Sequence, residues 1–192
     1  MSQPQRRPVV AVFGSSTITE SDPVYAHIRQ LGAELAQRGL SVMTGGYGGA
    51  MEAASRGANE SGGSVIGVTV QLFEARGGAN AWVHDRVHTP DLYERLRHLV
   101  HEADAFVVVT GSIGTLSELF LTWTLLSVQA RPAAPLVLMG AHWRAWLAAN
   151  AAPGFVPERL FRFVEVADTP AEAAARVAAA LALPAAANGA GG

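Results

Sequence analysis

The chain contains no cysteine and no lysine. The first absence excludes disulfides, thiolate zinc sites and cysteine nucleophiles, and it leaves the redox compartment open. The second excludes a Schiff base to pyridoxal phosphate and the amine chemistry that runs through it. Charge is also scarce. Only 16% of the 192 residues are charged, and the net charge is −2. The 14 basic residues are spread thinly along the chain, so no basic stripe exists to neutralise a nucleic-acid backbone. A phosphate-bearing ligand would have to be held by backbone N–H groups and one or two arginines. No stretch approaches the roughly 20 apolar residues of a membrane span. The apolar run Val9 to Phe13, after the basic start Met1 to Arg7, is too short for the core of a signal peptide. The expectation is a cytoplasmic protein without a membrane or nucleic-acid partner.

What is present is apolar and regularly punctuated. Hydrophobic residues make up 49% of the chain, and a chain this long buries about 70% of its unfolded surface in one core. Val9 to Phe13, Leu40 to Thr44, Ser64 to Thr69, Ala105 to Val109 and Leu136 to Met139 are short apolar runs of the kind buried on both faces of a parallel sheet. A shorter strand is expected within Trp82 to His88, and a last one at Phe163 to Val166. Between them lie segments with helical spacing: 23–38, Ala50 to Asn59, Asp91 to Glu102, Leu116 to Gln129, His142 to Asn150 and Pro170 to Leu183. Gln71 to His88 is the least regular stretch. The alternation predicts a single Rossmann-like α/β domain over residues 1–183. Its doubly wound parallel sheet carries helices on both faces. Pro184 to Gly192, small and polar, reads as a disordered tail.

Three of these strands run into small residues and then a helix: Gly14-Ser15-Ser16, Gly45-Gly46-Tyr47-Gly48-Gly49 and Thr110-Gly111-Ser112-Ile113-Gly114-Thr115. Ligands of open α/β sheets bind beyond the carboxyl ends of the strands. Glycine lets the backbone come close, and a helix start offers unpaired N–H donors that suit phosphate. No Gly-Lys-Ser/Thr follows, so this is not a Walker loop. The dinucleotide fingerprint also fails, because Met51 stands where its third glycine belongs and Thr69 and Gln71 stand where its acidic residue belongs. By itself Glu118 reads as a helix-start acid in a capping box, Thr115-Leu116-Ser117-Glu118. Arg95, in an apolar helical stripe, reads as a snorkelling surface arginine. His98 and His101 lack a zinc motif and are expected to face solvent. Trp123, Leu119, Leu126 and Phe120 form a large apolar helix surface, core first and partly a candidate interface.

Taken together, Gly14-Ser15-Ser16, Gly45 to Met51, Glu94-Arg95, Ala103 to Phe106 and Gly111 to Phe120 resemble the Lonely Guy family of cytokinin riboside 5′-monophosphate phosphoribohydrolases, long labelled lysine decarboxylases. The resemblance runs from about Val9 to Leu138. It implies a Rossmann-like homodimer that hydrolyses the N-glycosidic bond of a nucleoside 5′-monophosphate without metal or cofactor. The family's catalytic arginine and glutamate fall on Arg95 and Glu118. Gly111, Ser112, Gly114 and Thr115 would cradle the 5′-phosphate. Gly14, Ser15, Ser16, Gly45, Gly46 and Gly48 would pack around ribose and phosphate. Four positions depart from the family pattern: Thr110 for a proline, Ser112 for a glycine, Leu96 for a lysine and Ser117 for a second acid. If the glycine replaced by Ser112 needed a positive φ, the turn would be strained. The alternative is a non-catalytic nucleotide or phosphate-ligand binder, a sensor or a molybdenum-cofactor-carrier-like protein.

Overall fold

The computed structural model describes residues 6–151 and 155–182. The expected tail at 184–192 lies outside the described residues. The first half of the chain runs β1 (Val9–Phe13), α1 (Pro23–Gln37), β2 (Ser41–Thr44), α2 (Ala50–Glu60) and β3 (Val65–Val70). A 3₁₀ segment, Gln71–Arg76, leads to β4 (Asp85–Thr89) and α3 (Leu92–His101). The second half is β5 (Ala105–Val108), α4 (Ile113–Ser127), β6 (Leu136–Met139) and α5 (His142–Asn150). A second 3₁₀ segment, Glu158–Phe163, precedes β7 (Glu165–Ala167) and α6 (Pro170–Ala180).

All seven strands form one sheet in the order β4-β3-β2-β1-β5-β6-β7, and every neighbouring pair is parallel. The apolar runs explain this. Parallel strands need crossover helices, which cover both faces, so strand residues on either side must be apolar. One core layer holds the strands against α1, α2 and α6. The other holds them against α3, α4 and α5. Helices α1 and α2 approach closely because Gly32 and Gly57 carry no side chain; a Cβ on either would collide with backbone of the other helix. The chain builds outward from β1 to β4, then returns to the far side of β1 as β5. That reversal opens a crevice between the β1 and β5 loops, where α/β sheets hold ligands.

Several boundaries differ from the sequence reading. Helix α4 starts at Ile113 rather than Leu116, with Ser112 as N-cap. Leu116 N–H already bonds Ser112 O at 3.0 Å, so Thr115 is a helical residue and the capping box does not form. Glu118 therefore sits in the second turn of the helix. The edge strand starts at Asp85 because Trp82 and Val83 belong to a turn, closed by Val83 N–H to Asn80 O at 3.2 Å. The last strand starts at Glu165, since Phe163 ends a 3₁₀ segment. No helix among the described residues is long and apolar enough to cross a membrane.

Candidate active site

The crevice is a cavity of about 730 Å³ at the carboxyl edge of β5, β1, β2 and β3. Its floor is built from the three small-residue turns. Ser15 N–H bonds Thr110 O at 3.0 Å, and Ala50 N–H bonds Ser15 O at 2.7 Å, so the β1 loop ties the other two together. Gly49, with φ +71°, permits that junction; a Cβ there would collide with Ser15 O. Gly14 is needed for the same reason, because its Cβ would lie 2.5 Å from Val109 Cγ2 and 2.6 Å from the Ala50 methyl group.

At one end stands the start of α4. The N–H groups of Ile113, Gly114 and Thr115 precede the first intrahelical bond of that helix, so they are free for an anion, which the helix dipole also favours. Ser112 has φ −108° and ψ −158°, an extended backbone that any residue adopts. The expected strain at Ser112 is therefore absent. Its hydroxyl makes no cap hydrogen bond, and the residue lines the cavity. Gly111 does not line the cavity; it is small because a Cβ would collide with the Thr115 hydroxyl.

Glu118 lines the same cavity one turn deeper. It is half-buried, and removal from water pushes its carboxyl up to about 7, against the opposing pull of the Arg95 charge. Desolvation outweighs attraction because Arg95 and Glu118 share the cavity without forming an ion pair; the guanidinium is engaged elsewhere. Arg95 Nε donates to Val68 O at 2.8 Å, and Nη2 donates to Gly45 O at 3.1 Å. The guanidinium also lies 5.7 Å from the Tyr47 ring centroid. Helix α3 aims it there: Asp91 caps the helix by accepting Glu94 N–H at 2.8 Å, and Thr89 Oγ1 bonds Thr69 O at 2.9 Å. Gly45 makes room, since a Cβ would occupy the position of Arg95 Nη2. Arg95 is thus a tethered cavity residue, not a snorkelling surface arginine.

The structure brings Gly14, Ser15, Ser16, Gly45, Gly48, Arg95, Ser112, Gly114, Thr115 and Glu118 to one cavity. Gly46 does not reach it. Its φ of +79° makes the turn, and a Cβ would meet Thr69 Cγ2 at 3.0 Å instead. Of the departing positions, Ser117 bonds Ile113 O at 2.8 Å on the exposed side of α4, and neither it nor Leu96 or Thr110 lines the cavity. Sequence reasoning missed Tyr47, Met51, Glu52, Phe73 and Asn80, which all line it. Tyr47 and Met51 lay inside a motif already singled out; Phe73 and Asn80 lie in the aperiodic stretch, where no local signal marks them.

Comparison with known proteins identifies the family and the fold. The family model for the SLOG cluster4 family matches residues 7–128. A cytokinin riboside 5′-monophosphate phosphoribohydrolase of Mycobacterium tuberculosis is 31% identical over 167 residues, covering 82% of this chain and 87% of that protein. A pyrimidine/purine nucleotide 5′-monophosphate nucleosidase of Escherichia coli is 31% identical over 144 residues, covering 69% of this chain but only 31% of that longer protein. Among solved structures, the molybdenum cofactor carrier protein of Chlamydomonas reinhardtii superposes with a TM-score of 0.69 at 26% identity, covering 92% of this chain and 99% of that one.

Proposed function

This chain belongs to the SLOG cluster4 family of LOG-type proteins, and from that premise we propose that it hydrolyses the N-glycosidic bond of a nucleoside 5′-monophosphate. The products are the free base and ribose 5-phosphate, with AMP and cytokinin riboside monophosphates as candidate substrates. The observation that carries this reading is that Arg95, Glu118 and the free N–H groups of α4 face one cavity.

The 5′-phosphate binds at Ser112, Ile113, Gly114 and Thr115, where no lysine is required. With the anion pinned there, the ribose lies against Glu118. As the C1′–N bond breaks, its electron pair leaves with the base nitrogen and positive charge develops on the sugar. The ionised Glu118 carboxylate stabilises that charge and holds the water that attacks C1′; the proton released by the water ends on the departing base. Arg95 orients the base or the carboxylate with its remaining N–H groups.

Chromatography of AMP and isopentenyl-adenosine monophosphate incubated with the protein tests the proposal, and free base is the expected product. Tight nucleotide binding with no base released would favour the carrier-like reading that the Chlamydomonas structure allows. The ionised form of Glu118 is the active one here. Below its midpoint kcat/KM should therefore climb about tenfold per pH unit, then level off above pH 7. A profile that falls through pH 7 instead would make Glu118 a general acid.

The homodimer belongs to the same proposal. One face of α4 and its C-cap residue carries Ile113, Phe120 and Val128, 82%, 40% and 64% exposed, with only Ser117 and Thr124 between them on that face. A second copy covering this uncharged stripe would adjoin the phosphate end of the cavity, which Ile113 lines. Light scattering should give the mass of two chains, and Phe120→Glu should give the mass of one. A wild-type monomer at micromolar concentration would remove this element.

A further inference from the structure

The cavity follows the strand edge. The α4 cradle follows β5, the Ser15 loop follows β1, Tyr47 follows β2 and Phe73 follows β3. Adjacent strands lie about 4.8 Å apart, so three steps put the Phe73 wall about 14 Å from the phosphate cradle. That distance accommodates a phosphate, a ribose and a base in a row. Resting on the nucleotide reading above, the Tyr47–Phe73 end is the base end.

The chemistry of that end is specific. Tyr47 and Phe73 meet edge to face, with ring centroids 5.8 Å apart and an interplanar angle of 73°. The side-chain polar atoms of Tyr47 and Asn80 are engaged with the protein itself. Tyr47 Oη accepts Val70 N–H at 2.9 Å and donates to Val70 O at 3.1 Å. Asn80 is held at both ends of its amide: Nδ2 donates to Tyr47 O at 2.9 Å, and Oδ1 accepts Trp82 N–H at 3.1 Å. These bonds fix the Tyr47 ring and the loop that follows the 3₁₀ segment carrying Phe73. Arg95, tethered through Nε and Nη2, has Nη1 as its guanidine nitrogen without a hydrogen-bond partner among the described residues. A lone donor does not separate adenine from guanine, because both present ring-nitrogen acceptors at N3 and N7.

We propose that Phe73, braced edge to face by Tyr47, selects the base by the area of its face and not by its exocyclic groups, so that purine monophosphates bind alike and better than pyrimidine monophosphates. Stacking on an aromatic side chain tolerates any base, since each has a π-face, and it grows with ring area. Exocyclic readout would need donors and acceptors aimed at the base edge, and Tyr47 and Asn80 keep theirs for the backbone.

Calorimetric titration of Glu118→Gln with AMP, GMP, CMP, UMP and ribose 5-phosphate tests this by binding alone. AMP and GMP should bind within about threefold of each other and about tenfold tighter than CMP and UMP. In the same background Phe73→Ala should bring the purines down to the pyrimidine level and leave ribose 5-phosphate unchanged. Phe73→Trp should keep the purine preference. A hundredfold preference between AMP and GMP would overturn the proposal. So would a Phe73→Ala effect that is as large for ribose 5-phosphate as for AMP. Failure of wild-type protein to release base from any nucleotide would sink the hydrolase reading while leaving this ranking measurable.

Discussion

Glu118→Gln is expected to lower the rate of base release by about 10³-fold, which corresponds to roughly 4 kcal/mol of lost transition-state stabilisation. The amide keeps the shape of the carboxyl but cannot carry the charge that opposes the developing cation. Nucleotide binding should survive, because in the proposed mode the phosphate binds at α4 and not at Glu118. The same substitution has a second, opposite effect. The native carboxyl titrates at about 7 rather than at 4.5 because it is removed from water. Between those values the native state keeps a proton that the unfolded chain has lost. Stability therefore falls as pH rises from 4.5 to 7, and the full penalty applies above 7. Glutamine resembles the protonated form and carries no such penalty. Urea unfolding should thus show Glu118→Gln more stable than wild type at pH 8, on the order of 2 kcal/mol after allowing for solvent at the pocket mouth. At pH 4 the two proteins should be nearly equal. Loss of activity together with a stability difference independent of pH would remove Glu118 from the role given to it.

Arg95→Ala should also be severe, with a loss of about 10²- to 10³-fold in kcat/KM. Two causes add. The cavity loses the guanidinium that it shares with Glu118, and the carbonyls of Val68 and Gly45 lose the donor that bridges them. Each unpaired carbonyl costs about 1 kcal/mol or more where water does not replace the donor. Arg95→Lys should rescue little, since an ammonium is a point charge and cannot hold both carbonyls while presenting a further N–H. One readout separates electrostatics from scaffolding. The Arg95 charge lowers the Glu118 titration point, so removing it should move the midpoint of the pH–rate profile above 7. An unmoved midpoint with the rate reduced would mean that Arg95 acts only by holding the β2 and β3 turns in place.

Much of this arrangement was legible in the residues. The strand runs at Val9, Leu40, Ser64, Ala105 and Leu136 all form strands, because burial on two faces demands continuous apolar residues. The glycine-rich turns could be placed at the strand edge for the same reason. Less was legible where local pattern and tertiary contact diverge. Ile113 and Gly114 look like loop, yet they open α4, since its first intrahelical bond runs from Leu116 N–H to Ser112 O. Gly46 and Gly111 belong to the motif by composition but turn away from the cavity, each against a neighbour that only the folded chain supplies.

The sequence by itself determined the class of the fold and the edge of the sheet where the small-residue turns gather, and family likeness singled out Arg95 and Glu118. Those follow from apolar periodicity, glycine placement and motif, which are properties of neighbouring residues. Tertiary structure alone decided the strand order, the tether of Arg95 to two carbonyls and the aromatic end of the cavity. Asn80 shows why. It reaches that end through hydrogen bonds to the Tyr47 and Gly46 carbonyls more than 30 residues earlier in the chain, and side-chain periodicity carries no information about partners so remote.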